Sequence, residues 1–293
     1  MDLKSYLSDR LKQVDVALDR ALPSETTRPG TIHKAMRYSL FAGGKRLRPI
    51  LVLAACEAVG GKARNAMPAA CAVEMIHTYS LIHDDLPAMD NDDFRRGKPT
   101  SHKVFGEGIA ILTGDGLLTQ AFEVIAQTKP QPRYRAAAFV AELARAAGSL
   151  ELIAGQVEDL EGENRQVSFE DLRYIHEHKT AALIRACCRL GAMAGNATPA
   201  QLKALTAYGH GLGVAFQIID DILDVTATTE QLGKTAGKDV AAKKATYPSL
   251  LGLEKARVEA ARWTESTLKA VARFGKSGET LRALADHLLK RTY

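Results

Sequence analysis

Cysteine is scarce in this sequence, with 4 residues among 293, and no two cysteines have Cys-x-x-Cys spacing. All of them lie in alanine-rich apolar stretches, at Cys56, Cys71, Cys187 and Cys188. Such surroundings favour small buried core residues and argue against both a disulfide framework and a zinc site. Aromatic residues are also few, at 6%, and basic residues alternate with carboxylates, which argues against a nucleic-acid-binding surface.

Long apolar runs are lacking as well. No run approaches the roughly 18 apolar residues of a membrane span, and the first 20 residues carry a charge every few positions, unlike a signal peptide. We therefore expect a cytoplasmic protein without a stable membrane anchor. The net charge of +5 is too modest to imply nucleic acid and only hints at anionic partners.

Helical periodicity, in contrast, is present almost everywhere. Apolar residues recur at helical intervals over 3–22, 32–41, 50–59, 66–81, 110–126, 134–147 and 150–160. Helix starts are indicated by Ser168 with Asp171 three residues later and by Thr198 before Pro199. Strand-like alternation is almost absent, and no stretch resembles a linker between domains. The sequence therefore predicts one all-α domain over residues 1–293.

Two aspartate clusters interrupt this apolar helical pattern. The first contains Asp84, Asp85 and Asp90, beside Pro87, which should end the preceding helix within about a turn. In the second, FQIIDDILDV, Asp220 and Asp224 are four residues apart and project from one helix face, with Asp221 beside them. Either cluster alone could cap a helix or form surface salt bridges. Both together, in so apolar a setting, favour a bound cation, because unpaired buried carboxylates are strongly destabilising.

The donor chemistry favours magnesium over calcium. Carboxylates without nearby Cys or His pairs suit Mg²⁺, which binds one or two carboxylates together with substrate phosphate oxygens. An EF-hand starting at Asp90 would need an oxygen ligand, Gly and Glu where the sequence has Phe94, Arg95 and Ser101. Magnesium between the two clusters predicts a phosphorylated substrate.

Basic residues complement these acids. The turn GGKRLRP at 43–49 contains three cations, Arg95 and Arg96 directly follow the first cluster, and further lysines are Lys179, Lys234, Lys238, Lys243 and Lys244. Any one of them could belong to a solvated face, but their adjacency to acids favours a joint role with phosphate. The sequence contains no GxSxG, no P-loop and no Cys/His arrangement for covalent catalysis. The pattern is typical of Mg²⁺-assisted departure of diphosphate.

At these residues the sequence resembles the trans-isoprenyl diphosphate synthases, particularly the bacterial farnesyl diphosphate synthases. The resemblance covers about residues 32–253 and rests on GGKRLRP, DDLPAMD, RRGKPT, GQVED, HKT, FQIIDDILD and GKTAGKD in that order. It implies an antiparallel helical bundle with a deep central cavity, the aspartate clusters facing each other across its mouth, and a homodimer.

The resemblance also implies roles for individual residues. Asp84 and Asp90 would ligate two Mg²⁺ ions and Asp220 a third, with supporting carboxylates at Asp85, Asp221 and Asp224. The allylic diphosphate would be held by Arg95, Lys179 and Lys234. Isopentenyl diphosphate would be held by Lys45, Arg48, His77 and Arg96. Thr180 and Gln217, with the Lys179 carbonyl, would place dipoles beside the developing carbocation. The sequence departs from the family pattern at Asn91, where many relatives have Asp, at Lys243, where Gly is common, and at its last residues, 289–293, which lack the usual basic ending.

The implied reaction is ionisation, condensation and elimination. Isopentenyl diphosphate would be joined to dimethylallyl diphosphate and then to geranyl diphosphate, which yields farnesyl diphosphate. Chain length would depend on Tyr79 and Ser80, about one helical turn before Asp84. An aromatic residue at Tyr79 and two extra residues within the acidic motif, in the stretch 86–89, resemble the farnesyl-specific bacterial members.

Three alternatives stay open at this point. A geranylgeranyl or other longer-chain synthase would differ only in cavity depth. A terpene cyclase would be expected to lack the second DDxxD and the GKRLRP motif, both of which are present. A non-catalytic subunit that binds prenyl diphosphates could tolerate loss of the carboxylates, whereas all six are retained.

Overall fold

Alanine-rich amphipathic segments become helices along almost all of the described chain. The computed structural model describes residues 2–163, 165–226 and 244–289. Their helices are α1 Leu3–Ala21, α2 Gly30–Leu40, α3 Leu47–Ala58, α4 Ala63–Asp84, α5 Ser101–Phe105, α6 Glu107–Ala126, α7 Ala136–Ala147, α8 Leu152–Gly162, α9 Phe169–Ile175, α10 Ala182–Ala194, α11 Pro199–Thr226, α12 Tyr247–Leu251, α13 Leu253–Ala272 and α14 Glu279–Leu289. A π-helical turn, His176–Ala181, joins α9 to α10, and a 3₁₀ turn, Gly275–Gly278, precedes α14. The all-α prediction is confirmed.

Local capping chemistry sets several of these helix starts. Ser168 and Asp171 form a reciprocal capping box at α9, as the sequence predicts. At α11 the Thr198 side chain accepts from the Gln201 amide while the Gln201 side chain accepts from the Thr198 amide. A further capping box, formed by Thr246 and Ser249, starts α12. Each box satisfies amide donors that have no partner within the helix.

The core lies around α3 and α10, both of which are apolar on most of their surface. Helix α3 packs on α4 and α10, and α10 packs on α11. Small residues permit this approach: a Cβ at Gly191 of α10 would lie 2.1 Å from the Val52 carbonyl oxygen of α3. Because α4 and α11 both pack on α10, the helices that carry the two aspartate clusters share one scaffold. All four cysteines are buried and free, which confirms their predicted place in the core.

A short hairpin interrupts the helices after the first aspartate cluster. Its strands β1, Phe94–Arg95, and β2, Lys98–Pro99, pair antiparallel. The turn residues Arg96 and Gly97 both have positive φ, at 52° and 75°, as a tight two-residue hairpin requires. The sequence pattern did not indicate this hairpin, which holds two of the predicted phosphate-binding arginines.

Helix α6 corrects the expectation that no segment approaches a membrane span. Among the described residues it is the one helix long and apolar enough, by length and composition, to cross a membrane. It packs against α4 and α2 within the bundle, although Ile111 and Leu112 are about half exposed. Its apolar character therefore reflects packing in a helical core, plus an exposed apolar strip.

Candidate active site

The first aspartate cluster is formed by the end of α4 and a loop that folds back on it. Helix α4 continues three residues beyond the predicted end at Leu81, so that its last residue is Asp84. The Asp90 amide donates to the Asp84 carbonyl oxygen at 2.8 Å, which brings the two aspartates together despite their separation in sequence. Burial raises the pKa of Asp84 to about 6, and the charges of Asp90 and Asp85 add to this effect, against Lys179 and Arg95. Because neighbouring carboxylates repel each other when both are ionised, a bound cation stabilises their charged forms.

Asp85 has a different environment from Asp84. It is buried, and the Arg95 guanidinium donates to its carboxylate from Nε at 2.7 Å and from Nη2 at 2.6 Å. Arg95, predicted to hold the allylic diphosphate, therefore lies beside the first cluster and is oriented by Asp85. The supporting role expected for Asp85 is consistent with this geometry.

The second cluster lies on α11 and is partly buried. Asp221 and Asp224 are each 4% exposed. The Asp221 carboxylate accepts from the Tyr247 amide at 2.9 Å and from Gln217 Nε2 at 3.4 Å. Asp220 is more accessible and lies close enough to act on the pKa of Arg48.

Lysines lie between the two clusters. Lys244 Nζ is 3.5 Å from an Asp90 oxygen, 3.5 Å from Asp159 and 3.6 Å from Glu163. Lys179 Nζ donates to Asp159 at 2.7 Å. Burial alone would raise the pKa of Asp159, but Lys179 and Lys244 reverse this effect and lower it. The residue three positions beyond Lys244 is Tyr247, whose amide binds Asp221, so this segment connects the two clusters.

A cavity of about 170 Å³ lies at this junction. Lys179, Thr180, Gln217, Asp221 and Lys244 line its polar side. Thr180 Oγ1 donates to Gln217 Oε1 at 3.0 Å, so these two predicted dipoles are hydrogen-bonded to each other. Thr180 and Lys179 belong to the π-helical turn, an irregularity often found at functional sites. Lys234 lies outside the described residues.

The residues predicted to hold isopentenyl diphosphate also gather in one place. Arg48 Nη1 is 3.2 Å from His77 Nε2, and Arg96 donates to the Gly43 carbonyl, next to the exposed Lys45. Gly44, with φ of 121°, permits this contact, because a Cβ there would lie 2.5 Å from Arg96 Nη1. Arg48 Nε is buried without a hydrogen-bond partner among the described groups, which suits an incoming anion.

Tyr79 and Ser80 lie on α4 but do not line the cavity at the lysines. Tyr79 is 6% exposed, and its ring meets His83 edge-on at 5.8 Å between centroids. Helix α6 comes closest there, since a Cβ on Gly114 would lie 2.0 Å from His83 Nε2. Ser80 Oγ donates to the His77 carbonyl at 3.0 Å. Tyr79 therefore lies beside His83 on the side of α4 that packs toward α6, and Ser80 bonds to its own helix.

The comparison with known families agrees with this arrangement. Residues 29–285 match the sequence model of the family described as Polyprenyl synthetase. The chain belongs to the polyprenyl synthetase family. This membership confirms the resemblance found in the motifs, and it makes the chain a trans-prenyl diphosphate synthase, a transferase of isoprenoid biosynthesis.

Individual polyprenyl synthetases and related enzymes resemble the chain over nearly its whole length. It is 51% identical to the "Dimethylallyltranstransferase" of Fischerella ambigua (strain UTEX 1903), covering 100% of this chain and 84% of that protein. It is also 51% identical to the chloroplastic "Geranylgeranyl pyrophosphate synthase" of Capsicum annuum, covering 99% and 79%. The crystal structure of an FPP/GFPP synthase from Zymomonas mobilis superposes with a TM-score of 0.87 at 35% identity, covering 98% and 99%.

The polyprenyl synthetase family depends on Mg²⁺, and the donor set of this chain fits that ion. Asp84, Asp90 and Asp220 offer carboxylate oxygens, and the Lys244 ammonium already stands near Asp90 as a cation. Within the described part of the chain, no three acidic, His or Cys side chains converge into a preformed metal cage. Mg²⁺ takes few protein ligands and completes its shell with water and phosphate oxygens.

Sequence reasoning missed several residues at this site. Asp159 lies in GQVED and Lys244 was counted only as added positive charge, yet together they span the gap between the clusters. His176 and Tyr247 had no predicted role and contact Asp221. The signal available for Asp159 was its place in a motif, whereas the Tyr247 contact uses a backbone amide, which leaves no mark on residue type.

The state of His77 makes a prediction about acid stability. Burial and then the charges of Arg48 and Arg96 hold the pKa of His77 well below 6.5, so the native ring is neutral. In the unfolded state His77 binds a proton as the pH falls through about 6.5, whereas in the native state it stays neutral. The free energy of unfolding therefore decreases as the pH drops through that value. Between pH 7.5 and 5.5, we expect the free energy of unfolding of His77→Gln to fall by about 1 kcal/mol less than that of wild type. Urea unfolding without substrate measures this difference.

A matched control for this measurement is His287→Gln, at an exposed histidine of α14. Because His77 is unchanged in this variant, its free energy of unfolding is expected to fall with pH as much as that of wild type. An equal pH dependence in His77→Gln and wild type would contradict a neutral native His77.

Proposed function

We propose that this prenyltransferase joins isopentenyl diphosphate to dimethylallyl diphosphate and then to geranyl diphosphate, and releases farnesyl diphosphate. The observation that supports the short product is the buried ring of Tyr79, five residues before Asp84. A growing chain that descends along α4 from the first cluster would meet this ring. The geranylgeranyl product is the second candidate, because the Capsicum annuum relative bears that name.

Each group of residues contributes separately to the proposed reaction. Three bound Mg²⁺ ions, held by Asp84 and Asp90 on one side and by Asp220 on the other, would supply Lewis-acid stabilisation of the departing diphosphate. Arg95 and Lys179 bind the allylic diphosphate, aided by Lys234, and Asp85 keeps the Arg95 fork in place. Their charges stabilise the negative charge that develops on the leaving group.

The carbon–carbon bond-forming step needs dipoles that stabilise the allylic cation and a cavity that excludes water. The Thr180 hydroxyl donates a hydrogen bond to Gln217, so the lone pairs of the Thr180 oxygen point toward other neighbours. This orientation suits the oxygen to stabilise an allylic cation. Apolar side chains, Val167, Leu172 and Ile175, line the other side of the cavity and exclude water that would quench that cation. Lys45, Arg48, His77 and Arg96 hold the diphosphate of the attacking isopentenyl group.

The decisive experiment incubates the purified protein with Mg²⁺, isopentenyl diphosphate and dimethylallyl diphosphate and identifies products by mass. Fifteen-carbon farnesyl diphosphate as the main product supports the proposal, and a twenty-carbon product supports the second candidate. No prenyl product at all would favour the non-catalytic subunit.

Shortening Tyr79 tests its place at the end of the product chain. We expect Tyr79→Ala to convert most of the product from fifteen to twenty or more carbons, because removing the ring opens space along α4. Mass analysis of the products under identical substrate ratios measures the shift. Tyr134→Ala, at a tyrosine whose hydroxyl bonds to the Ala197 carbonyl, is the control and should leave chain length unchanged. Unchanged lengths in Tyr79→Ala would remove Tyr79 as a determinant.

We further propose that two copies of the chain form a homodimer through α6. The exposed Ile111 and Leu112 of this helix, with Val104 of α5, are the support, because exposed apolar strips mark contact surfaces. Analytical ultracentrifugation separates a dimer from the 31.7 kDa monomer, and a monomer at micromolar concentration would contradict the proposal.

A further inference from the structure

The Asp221 carboxylate lies at the wall of the cavity, and protein donors surround it. It is 4% exposed and accepts from the Tyr247 amide at Oδ2 and from Gln217 at Oδ1. His176 Nε2 lies 3.6 Å from the same Oδ2 atom. Donors therefore approach both oxygens, which makes Asp221 a bridging group within the protein.

His176 is held in place by an aromatic stack. Its ring lies parallel to Tyr247, with centroids 5.3 Å apart and 17° between planes. Phe169 also contacts Tyr247, edge-on, with ring centroids 5.3 Å apart and 79° between the ring planes. His176 and Tyr247 are 6% and 1% exposed, so neither ring has room to turn. The stack fixes the plane of the His176 ring beside Asp221.

The two nitrogens of His176 have unequal surroundings. Nε2 faces the Asp221 carboxylate, whereas Nδ1 is buried with no hydrogen-bond partner among the described groups. A neutral ring in this setting carries its proton on Nε2, where an acceptor is available. A separation of 3.6 Å is longer than a direct hydrogen bond, and contacts of this kind commonly tighten when the ligand is bound.

The three partners belong to three segments that each carry or adjoin another residue of the site. His176 begins the π-helical turn with Lys179 and Thr180, Asp221 follows Asp220 on α11, and Tyr247 begins α12 just after Lys244. A contact that joins these elements determines how the lysines stand relative to the second cluster.

We propose that His176 is a positioning residue, which donates from Nε2 to Asp221 and so aligns Asp220 and the lysine-bearing segments for the magnesium diphosphate. The proposal rests on the magnesium role of Asp220 in the proposed function. Groups that orient metal-binding residues in this way typically alter metal affinity about 10–100-fold when they are replaced.

Three substitutions separate the donor from the ring. His176→Phe keeps the stack on Tyr247 and removes the donor. His176→Gln places its amide nitrogen where Nε2 lies, and His176→Asn places the same amide where Nδ1 lies, one methylene short of Asp221. His178→Gln is the control, since His178 lies on the same turn but stacks on Tyr174 and contacts the Tyr174 carbonyl.

Isothermal titration of each variant with Mg²⁺ and inorganic diphosphate measures metal-dependent binding without turnover, and urea unfolding without metal measures folding. We expect His176→Phe and His176→Asn to bind about tenfold more weakly than wild type. His176→Gln and His178→Gln should stay within about threefold of wild type, well inside that effect. Both the Gln and the Asn variant lose the stack, and metal-free unfolding shows that each is folded before their binding is compared.

Equal binding by wild type, His176→Phe and His176→Asn would overturn the proposal. So would equal loss in the Gln and Asn variants, which would assign His176 a packing role. If His176→Phe does not fold, the Gln and Asn pair decides alone. A wild-type protein that takes up no Mg²⁺ with diphosphate would instead overturn the proposed function, and the inference with it.

Discussion

Asp84→Asn is expected to lower kcat/KM for prenyl transfer by about 10³-fold or more while leaving the protein folded, because it removes a charged oxygen donor from the predicted magnesium site. The folded state should not suffer. Burial raises the pKa of Asp84 to about 6, which means that the metal-free fold disfavours its charged form, and a neutral amide avoids that penalty at pH 7 to 8. Steady-state kinetics at saturating Mg²⁺ and thermal melting of the metal-free protein measure the two effects.

Asp93→Asn is the matched control for this change. Asp93 belongs to the same acidic loop but is exposed and pairs with Lys103 at 2.8 Å. We expect its kcat/KM to stay within about twofold of wild type, since exposed pairs contribute little. Wild-type activity in Asp84→Asn would show that Asp84 is not a required metal ligand, and an equal loss in Asp93→Asn would show that the effect is not specific to Asp84.

The largest expected effect on stability comes from Glu74→Leu, at about 3 kcal/mol or more. Glu74 Oε1 accepts from Arg46 Nη1 at 2.9 Å, and both side chains are only 3% exposed. Arg46 Nε also donates to Asp15 of α1 at 2.8 Å, and Nη2 donates to the Leu40 carbonyl at 2.8 Å. Removing Glu74 leaves a buried guanidinium with incomplete compensation. Urea unfolding of the metal-free protein measures this loss.

Two further variants show whether the loss comes from the buried charge. Glu254→Leu makes the same substitution in an exposed pair with Arg257, and it should change stability by less than about 0.5 kcal/mol. Arg46→Met combined with Glu74→Leu should recover most of the stability, because no buried charge remains unpaired; Asp15, which also loses its partner, is 37% exposed and can be hydrated. A double variant no more stable than Glu74→Leu would assign the effect to packing instead.

The Arg46 pair also bears on substrate binding. Arg46 precedes α3 with φ of 50° and lies between Lys45 and Arg48, so its side chain anchors the segment that carries two of the four predicted isopentenyl diphosphate ligands. Of the three cations in GGKRLRP, the sequence pattern does not distinguish the inward-facing arginine from the others. Its burial and its two acidic partners, contributed by α1 and α4, make that distinction in the folded protein.

Sequence alone determined the helical architecture and the chemistry of the two aspartate clusters. Helix periodicity, the capping boxes at Ser168 and Thr198, and like charges four residues apart at Asp220 and Asp224 all act within a turn or two of the chain. Short-range interactions of this kind depend on the order of neighbouring residues, so they can be predicted from the sequence.

Only the tertiary structure decided which distant groups meet. Long-range contacts join Lys244 to Asp90, Tyr247 and His176 to Asp221, and Arg46 to Glu74, all across 26 or more positions of the chain. They depend on how α4, α10 and α11 pack, and packing depends on the shapes of many side chains at once rather than on any local pattern.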